Sequence, residues 1–415
     1  MSAASADPAA ADHLLASAAE RFGTPAYVYV ADDIAERIGE LRQAFGRWFS
    51  LSFAVKSNPN PALLEWLRNR IEYLDISSGG EFILAREGKW DASLVSFTGP
   101  AKQAAELRAA IAGGLGELVI ESLREARLAD QIAAELGRVQ PVLIRLAPER
   151  VPKGFGDQMA GRPVPFGIDV EDAPVELPQI AALRNLHIVG LHIYSGTQCL
   201  KADAIAENWR IFLQVFRDVC AAQNLRPHKL VFGSGLGIPY HPGDKPLDLS
   251  EIAEAVGAEL DAFRADPLFA EARLVLELGR YLVGQAGYFV TRVVSVKNSR
   301  GSRIAICDGG LNDNLAASGH FGMVLRRNYV MHRVGGGQGE EKIDISGPLC
   351  TSIDKLGGGV ALPRIEEGDL IAIHACGAYG PTASPLHFIS FPAPKEILAL
   401  GGQLIDATRM RTVAG

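Results

Sequence analysis

The chain has 415 residues, of which 48% are hydrophobic and 21% charged, and its formal net charge is -7. This length exceeds what one hydrophobic core usually serves, so we expect two domains. The acidic balance and the lack of a polybasic run argue against nucleic-acid binding, and the N-terminal stretch lacks the features of a signal peptide. With no apolar run long enough to span a bilayer, the sequence predicts a cytoplasmic protein without membrane partners.

Cysteine and histidine spacing gives no sign of a metal site. The five cysteines are scattered without the C-x-x-C spacing of zinc sites, and the nine histidines form no H-x-x-x-H pair. An odd number of scattered cysteines also argues against a disulfide framework. We therefore expect reduced thiols and no metal.

Short β-rich runs alternate with helical ones over the first two thirds of the chain. Helical patterns cover residues 61–69, 80–87, 102–112, 123–136, 202–223 and 249–263. Repeated βα units with short connections imply parallel strands, and eight of them predict a (β/α)8 TIM-type barrel, with an open doubly wound sheet as the alternative. The strand runs are SFAVK, YLDIS, LVSFTG, ELVIES, PVLIRLA, HIVGLHIYSG, KLVFGSGLG and RLVLELGR.

The pattern changes after Leu282, where strand-like runs are separated by Gly, Pro and Asn turns. The sequence predicts a barrel over residues 32–280 and a C-terminal, mostly-β domain over 281–415, joined by an N-terminal strand around 24–31. The run PAYVYV is that strand, and the alanine-rich opening is a frayed tail or a short helix. The later runs are YFVTRVVSVKNS, SRIAICDGG, KIDISGP, DLIAIHACGAYG and HFISFP.

Residues able to do chemistry follow the predicted barrel strands. Because the carboxyl ends of parallel strands meet at one rim, six such residues indicate a single pocket. Lys56 ends an apolar run, where burying an ammonium is costly, so the lysine either extends to water as a surface residue or uses its nitrogen. The glycine turn 233–237 has the composition of an anion-binding turn, and Arg280 offers a fork to the same anion, which suggests a phosphate-bearing cofactor. The six residues are Lys56, Asp75, Arg145, His192, Glu277 and Arg280.

From about Pro25 to Phe391 the chain resembles the fold-type III pyridoxal-phosphate decarboxylases, which include the diaminopimelate, ornithine and arginine decarboxylases. The motifs that carry this resemblance stand in family order. They are FAVKSNPN, LDISSGGE, HIYSGTQ, FGSGLG, ELGR, DGGLND, GPLCTSIDKL and CGAYG.

The resemblance implies that pyridoxal 5'-phosphate is the cofactor and that Lys56 forms the Schiff base with it. It implies that Glu277 faces the pyridine nitrogen and that His192 stacks on the ring. Other matching positions bind the cofactor phosphate or line the cofactor. They are Asp75, Glu81, Arg145, Ser195, Gly233, Ser234, Gly235, Gly237, Arg280 and Tyr379.

The resemblance also implies a homodimer with shared active sites. Cys350 matches the family cysteine that enters the partner subunit's site and is associated with protonating the carbon that has lost CO2. Thr351 and Asp354 match neighbouring positions that would reach the substrate from the same side. A monomer should then be inactive.

Three positions depart from the family pattern where substrate is gripped. Ala316 and His320 stand about where diaminopimelate decarboxylases carry an arginine and a tyrosine, and Thr351 replaces the acidic residue after the cysteine. A site that lacks these polar side chains binds a charged group at the far end of the substrate more weakly. The chain therefore resembles the subgroup that acts on amino acids held in a conjugate or on a carrier, and the glycines from Gly357 offer a small, open rim.

Several alternatives stay open. The chain could be a true meso-diaminopimelate decarboxylase of lysine biosynthesis, with Arg326 or Arg327 replacing the missing anchor. Amino-acid racemases of related fold place an arginine opposite the pyridine nitrogen, so the acidic Glu277 disfavours racemisation. A non-catalytic pyridoxal-phosphate-binding or regulatory homologue is disfavoured because Lys56, Glu277 and Cys350 are all present.

Overall fold

The computed structural model describes residues 8–321 and 326–408. The chain folds into two units, each with its own sheet. The barrel unit comprises residues 36–238 and 246–281, and the β unit comprises residues 1–35, 239–245 and 282–415. Parts of the predicted opening (1–7) and of the predicted C-terminal domain (322–325 and 409–415) lie outside the described residues.

Helices and strands alternate through the barrel unit and give way to strands in the β unit. The strands are β1 (Ala26–Val30), β2 (Phe49–Ala54), β3 (Tyr73–Ile76), β4 (Val95–Phe97), β5 (Glu117–Ile120), β6 (Gln140–Ala147), β7 (Asp157–Gln158), β8 (Ile168–Asp169), β9 (Leu186–Ile193), β10 (Gly196–Thr197), β11 (Lys229–Gly233), β12 (Arg273–Leu278), β13 (Gly287–Ser299), β14 (Ser302–Cys307), β15 (Met331–Arg333), β16 (Glu341–Ser346), β17 (Lys355–Leu362), β18 (Leu370–Ile373), β19 (Lys395–Leu400) and β20 (Gln403–Asp406). The α-helices are α1 (Pro8–Phe22), α2 (Ala31–Phe45), α3 (Pro61–Leu67), α4 (Gly79–Glu87), α5 (Ala104–Ala112), α6 (Leu123–Glu135), α7 (Ala173–Ala181), α8 (Ala202–Ala222), α9 (Leu249–Ala265) and α10 (Arg280–Val283).

Eight parallel strands form the barrel in the order β2, β3, β4, β5, β6, β9, β11 and β12. The pairing of β12 with β2 closes the ring, and the pairing of β5 with β6 leaves no gap within it. The eight predicted runs supply these eight strands, so the barrel is confirmed and the open-sheet alternative is wrong. Inside the barrel, one cluster is made by Tyr73, Val119, Leu143, Val231 and Val275.

Four barrel helices begin where their sequence offers a capping side chain. Asn60, Ser78, Ser122 and Asp248 each accept a hydrogen bond from a backbone N–H in the first turn of the following helix. The sequence analysis missed α7, since prolines within it mask its helical pattern. Within the described residues no helix has both the length and the apolar character that crossing a membrane requires.

The β unit is built around the N-terminal strand. The path of its sheet is β17, β16, β14, β13, β1, β19 and β20, and β18 pairs with β13 and β15. In this sheet β1 lies antiparallel to β13 and parallel to β19. The alanine-rich opening is helical from Pro8, and Leu15, Ala18 and Ala19 of α1 pack with Val28 in a buried cluster.

The run HFISFP is not a strand, contrary to its apolar alternation. Residues Phe388–Ser390 form a short 3-10 turn in which Ile389 and Ser390 have positive φ angles of 58° and 61°. Phe388 and Ile389 are exposed, so the apolar side chains of this run do not face a core. The sequence analysis also missed β17, because its three consecutive glycines are atypical of a strand.

A buried ion pair lies at the amino ends of the barrel strands. The Nζ atom of Lys229 is 2.7 Å from Oε1 of Glu117 and 3.7 Å from the ring centroid of Tyr73. Each of these residues is the first of its strand. Burial lowers the pKa of Lys229, while the charge and hydrogen bond of Glu117 act in the opposite direction.

We expect Glu117→Gln to lower the free energy of unfolding by about 2 kcal/mol at neutral pH, because it leaves the Lys229 ammonium buried without its counter-charge. Burial makes Lys229 lose its proton at a lower pH in the folded variant than in the unfolded chain. Over that pH range the unfolded chain binds more protons, so the free energy of unfolding rises as alkaline pH deprotonates Lys229. Urea unfolding at neutral and alkaline pH measures both effects.

The matched control is Glu117→Gln combined with Lys229→Met, which removes both charges. We expect this double variant to recover most of the lost stability at neutral pH, since an apolar side chain needs no counter-charge. A loss in the single variant that stays the same at both pH values would contradict the electrostatic explanation.

Candidate active site

Strand register brings the predicted catalytic side chains to one rim of the barrel. Asp75 of β3 lies opposite Ala54, the last residue of β2, and Lys56 follows two residues later. Glu277 of β12 pairs with Gly233, the last residue of β11. These positions all lie at the carboxyl ends of their strands, where the sequence predicts a pocket.

A tight turn fixes Lys56 at this rim. It is the middle residue of a single 3-10 turn, Val55–Ser57, in which the Ser57 hydroxyl donates to the Ala54 carbonyl at 2.8 Å. The chain then enters α3, with Asn60 as its N-cap and Pro61 in its first turn. The SNPN run after Lys56 therefore ends the strand segment that carries the lysine and begins the next helix.

Two buried carboxylates lie in the electrostatic field of Lys56 and have opposite pKa shifts. Burial raises the pKa of Asp75 well above its usual value, and the charge of Glu277 adds to that rise. Burial also opposes ionisation of Glu277, but the hydrogen bond and charge of His192 and the charges of Lys56 and Arg145 outweigh it and lower its pKa. The pair therefore favours an ionised Glu277 beside a protonated Asp75.

His192 contacts Glu277 directly. Its Nε2 atom lies 3.0 Å from Oε2 of Glu277, and both side chains are almost fully buried. The register of β6 with β9 places Arg145 opposite His192. Two neighbouring strands, β6 and β9, thus contribute a hydrogen-bonding partner and positive charge to the surroundings of Glu277.

Arg145 is held by an acidic residue that the sequence analysis did not select. Its Nη1 atom donates to both carboxylate oxygens of Glu121 at 3.1 Å, and Glu121 also accepts from the backbone N–H groups of Gly99 and Gly167. Glu121 directly follows β5, so the strand-end rule that selected Lys56 and Glu277 could also have found it.

The glycine turn after β11 forms a tightly packed cradle. Gly235 has a φ of +71°, and a Cβ there would lie 2.5 Å from the Phe155 ring. A Cβ at Gly237 would lie 2.8 Å from the Cys199 carbonyl oxygen. Nearby, the Ser195 hydroxyl donates to Oδ1 of Asn208 at 2.8 Å. Side chains are excluded here, so backbone and hydroxyl groups are the ones that can approach an anion.

Some buried side-chain polar atoms at the rim have no hydrogen-bond partner among the described residues. Oδ2 of Asp75 and Nδ1 of His192 are among them. Buried polar atoms are normally satisfied, so this rim is incomplete without a bound polar molecule. A lysine, an ionised carboxylate, a histidine and a glycine cradle suit pyridoxal phosphate, which brings an aldehyde, a ring nitrogen and a phosphate.

The other predicted residues of the barrel unit occupy ordered positions. Glu81 is in the first turn of α4, and its Oε2 accepts from the backbone N–H of Ser77 at 2.7 Å. The backbone N–H of Ser234 donates to the Glu277 carbonyl at 3.1 Å. Arg280 is half-buried and begins α10 directly after the ELG segment.

The remaining predicted residues belong to the β unit. Cys350 is exposed, whereas the other four cysteines, all in the described part of the chain, are buried. Asp354 is buried, and its carboxylate accepts from the backbone N–H groups of Leu311 and Leu349, each at 2.7 Å. Asp354 therefore fixes the loop that presents Cys350 and Thr351. Tyr379 is half-buried and has a positive φ of 54°.

The two candidate replacements for the substrate anchor are engaged elsewhere in the β unit. Arg327 forms an ion pair with Asp244 at 2.8 Å, and Arg326 donates to the Lys355 carbonyl. Ala316 is half-buried and His320 is exposed. The rim glycines at 357–359 lie inside β17. These contacts argue against Arg326 or Arg327 as the missing anchor.

Tyr194 is a second residue that the sequence analysis did not select. Its ring centroid lies 5.2 Å from the Nζ atom of Lys56. The residue follows β9 and stands within the HIYSGTQ motif. Its proximity to Lys56 depends on the closure of the barrel, which sequence spacing alone does not give.

Comparisons with known proteins agree with this geometry. Residues 31–284 match the family described as pyridoxal-dependent decarboxylase, pyridoxal binding domain. The chain is 33% identical over 391 residues to the L-glutamyl-[BtrI acyl-carrier protein] decarboxylase of Niallia circulans, covering 92% of this chain and 90% of the relative. It is 30% identical to the diaminopimelate decarboxylase of Aquifex aeolicus, covering 93% of this chain and 89% of the relative.

A solved structure of similar fold is a diaminopimelate decarboxylase variant from Helicobacter pylori complexed with L-lysine. It is 25% identical, covers 95% of this chain and 96% of its own, and has a TM-score of 0.84. The matching profile spans the barrel strands that carry Lys56, His192 and Glu277. The chain belongs to the pyridoxal-dependent decarboxylases of fold type III.

Proposed function

We propose that this protein removes the α-carboxylate from an amino acid that is held in a larger conjugate, with pyridoxal phosphate as its cofactor. The observation that carries the proposal is the placement of Lys56 and buried Glu277 at the carboxyl ends of the strands of a closed barrel, where the charge of Lys56 helps to lower the pKa of Glu277. A lysine can hold a carbonyl, and a carboxylate can hold a proton on a ring nitrogen. Decarboxylation by this cofactor needs both groups.

When bound, pyridoxal phosphate supplies an electron-withdrawing ring joined to an amine. Lys56 is the amine that would hold the cofactor between turnovers, and its 3-10 turn limits where Nζ can reach. Glu277 would keep a proton on the pyridine nitrogen, because its environment favours the carboxylate. The cradle at Gly235 would bind the phosphate. Nδ1 of buried His192 has no hydrogen-bond partner among the described residues, and a bound molecule could supply one.

The carboxylate at position 277 also favours decarboxylation over racemisation. A proton held on the ring nitrogen makes the ring a strong electron sink, which the loss of CO2 requires. Lys56 and Arg145 both lower the pKa of Glu277, so positive charge around the carboxylate supports this state. A neutral or cationic partner at this position would weaken the sink.

Three features support a conjugated or carrier-bound substrate. Thr351 and Ala316 replace groups that would grip a distal charge, and Arg326 and Arg327 are engaged in other contacts. The Niallia relative is named for an L-glutamyl group on an acyl-carrier protein. A substrate that is held through its carrier does not need a charged grip on its distal end.

The second candidate is meso-diaminopimelate decarboxylation. The Aquifex relative, which carries that name at 30% identity, favours it. The replaced anchor positions argue against it, because a polar group of the substrate would be left without a partner. We therefore rank it below the conjugated substrate.

We also propose a cytoplasmic homodimer with shared active sites, in which Cys350 enters the partner's site. Support comes from the β unit, where Asp354 fixes the loop on which Cys350 is exposed. Ile353 of the same loop is 48% exposed. An exposed thiol and an exposed large apolar side chain on the same loop would both be available to a second subunit. Free thiols fit a reducing compartment.

We expect Lys56→Ala to abolish both the cofactor-dependent visible absorbance and the release of CO2, because no amine remains to hold the cofactor. Glu277→Gln should keep that absorbance while lowering turnover by about two orders of magnitude or more, a usual effect of removing one directly acting group. The control is Lys245→Ala, which removes an exposed lysine and should keep both the absorbance and the CO2 release. Visible absorbance that survives in Lys56→Ala would rule out Lys56 as the cofactor lysine.

The substrate class is tested by comparing CO2 release from free and conjugated amino acids. We expect turnover of an L-glutamyl thioester of an acyl-carrier protein or of a small pantetheine analogue. Free L-glutamate, L-lysine, L-ornithine, L-arginine and meso-diaminopimelate should be turned over at least about a hundredfold more slowly, since the grip on a free distal charge is absent. Rapid turnover of free meso-diaminopimelate would establish the second candidate instead.

Shared sites predict complementation between two inactive variants. Lys56→Ala and Cys350→Ala should each be inactive alone, but mixed subunits form heterodimers in which one site carries both native residues. With random exchange, about a quarter of the parent activity should return. Mixtures that stay inactive, although exchange is shown by mass spectrometry, would contradict a site completed by the partner subunit.

A further inference from the structure

Tyr194 stands beside the cofactor lysine without a role in the reaction described above. The residue follows β9 and is half-buried, and its ring centroid lies 5.2 Å from Nζ of Lys56. An ammonium at this distance from an aromatic ring is attracted by the negative face of the ring. Lys56 therefore has an aromatic neighbour as well as the two carboxylates of Asp75 and Glu277.

The end of the neighbouring strand leaves space for this ring. A Cβ atom at Gly233 would lie 2.4 Å from Cδ2 of Tyr194 and 2.8 Å from its Cα. Any side chain at position 233 would therefore collide with Tyr194. The glycine is needed for the close approach of β11 to the segment that follows β9.

The backbone around Tyr194 is tied to other strand ends. Nη2 of Arg145 donates to the Tyr194 carbonyl at 3.5 Å, and Glu121 fixes Arg145 with a two-pronged contact. The next residue, Ser195, accepts a hydrogen bond from Met159 at 2.8 Å through its carbonyl. The segment that carries the ring is therefore held at the Tyr194 carbonyl and at the residue that follows it.

We propose that Tyr194 is a positioning residue whose ring face stabilises the ammonium of Lys56 whenever that lysine is not bonded to the cofactor. This inference deepens the proposed function and rests on it, since a Schiff-base lysine must be released and recovered in each turnover. The ring would keep the released nitrogen close to where it was bound. Tyr194 would hold it without taking part in bond making.

Charged groups on several elements also act on this nitrogen. Asp75 of β3 and Glu277 of β12 both interact electrostatically with Lys56, and Glu81, His192 and Arg145 act on those two carboxylates. Because all of these groups affect the balance between ammonium and amine, the test must leave them in place. Substitutions at Tyr194 do so, whereas substitutions at Asp75 or Glu277 do not.

The experiment measures how fast Lys56 is acetylated by acetic anhydride in the full chain freed of cofactor, across a range of pH, with mass spectrometry as the readout. Exposed Lys245 serves as an internal standard. Only the amine reacts, so losing the ring should move the Tyr194→Leu profile to lower pH. Near neutral pH this should raise the rate at Lys56 about fivefold. Tyr194→Phe, which keeps the ring, should match the parent.

A Tyr194→Leu profile with an unchanged midpoint would overturn the inference. So would a rise by the same factor at every pH, which means that the reagent merely gains access, or a Tyr194→Phe profile like that of the leucine variant. Gly233→Ala is the second variant and should reproduce the leucine shift, because its Cβ displaces the ring. The assay needs no decarboxylation, so a shift in a protein that releases no CO2 would sink the proposed function alone.

Discussion

Opposite charges buried at the carboxyl ends of the barrel strands constrain the rest of the site. Asp75 and Glu277 share a region of low dielectric in which both cannot ionise freely, and Lys56, His192 and Arg145 direct the negative charge to Glu277. Each of these groups comes from a different strand or from the turn that follows one. The protonation state of any member therefore depends on the closure of the whole barrel, and the site should respond to substitution as a unit.

A second buried layer supports these groups without touching them all. Glu121 links Arg145 to the backbone at Gly99 and Gly167, and its own backbone N–H donates to Oε2 of Glu125 at 3.2 Å. Glu125 is in turn paired with Lys102 at 2.6 Å, and both side chains are almost fully buried. Burying such pairs contributes little net stability, since desolvation offsets their attraction. Their effect is to hold the loops after β4, β5 and β6 at fixed positions around the guanidinium.

The sequence predicts the barrel well because its strands are buried on both faces and read as continuous apolar runs between helical patterns. The residues selected at strand ends, such as Lys56 and Glu277, follow from the same regularity. The β unit is harder, because β17 contains three glycines and the apolar run around Ile389 is exposed and turned. Glu121 and Tyr194 were missed for different reasons. Glu121 lies at a strand end, but the Glu-Ser sequence there has no distinctive pattern. The importance of Tyr194 depends on a contact with Lys56, which comes from another strand of the barrel.

The placement of β1 has a consequence for how the chain can be made. This strand lies between β13 and β19, so its partners are synthesised more than 250 and more than 350 residues after it. The barrel strands, from β2 to β12, are all complete before either partner leaves the ribosome. During that interval β1 is an apolar strand with both edges unpaired. The element close to it in sequence that can pack against it is α1. β1 is made before the barrel strands but is thus among the last strands to be paired, and a fusion that keeps it from folding back should leave the barrel formed and the sheet of the β unit incomplete.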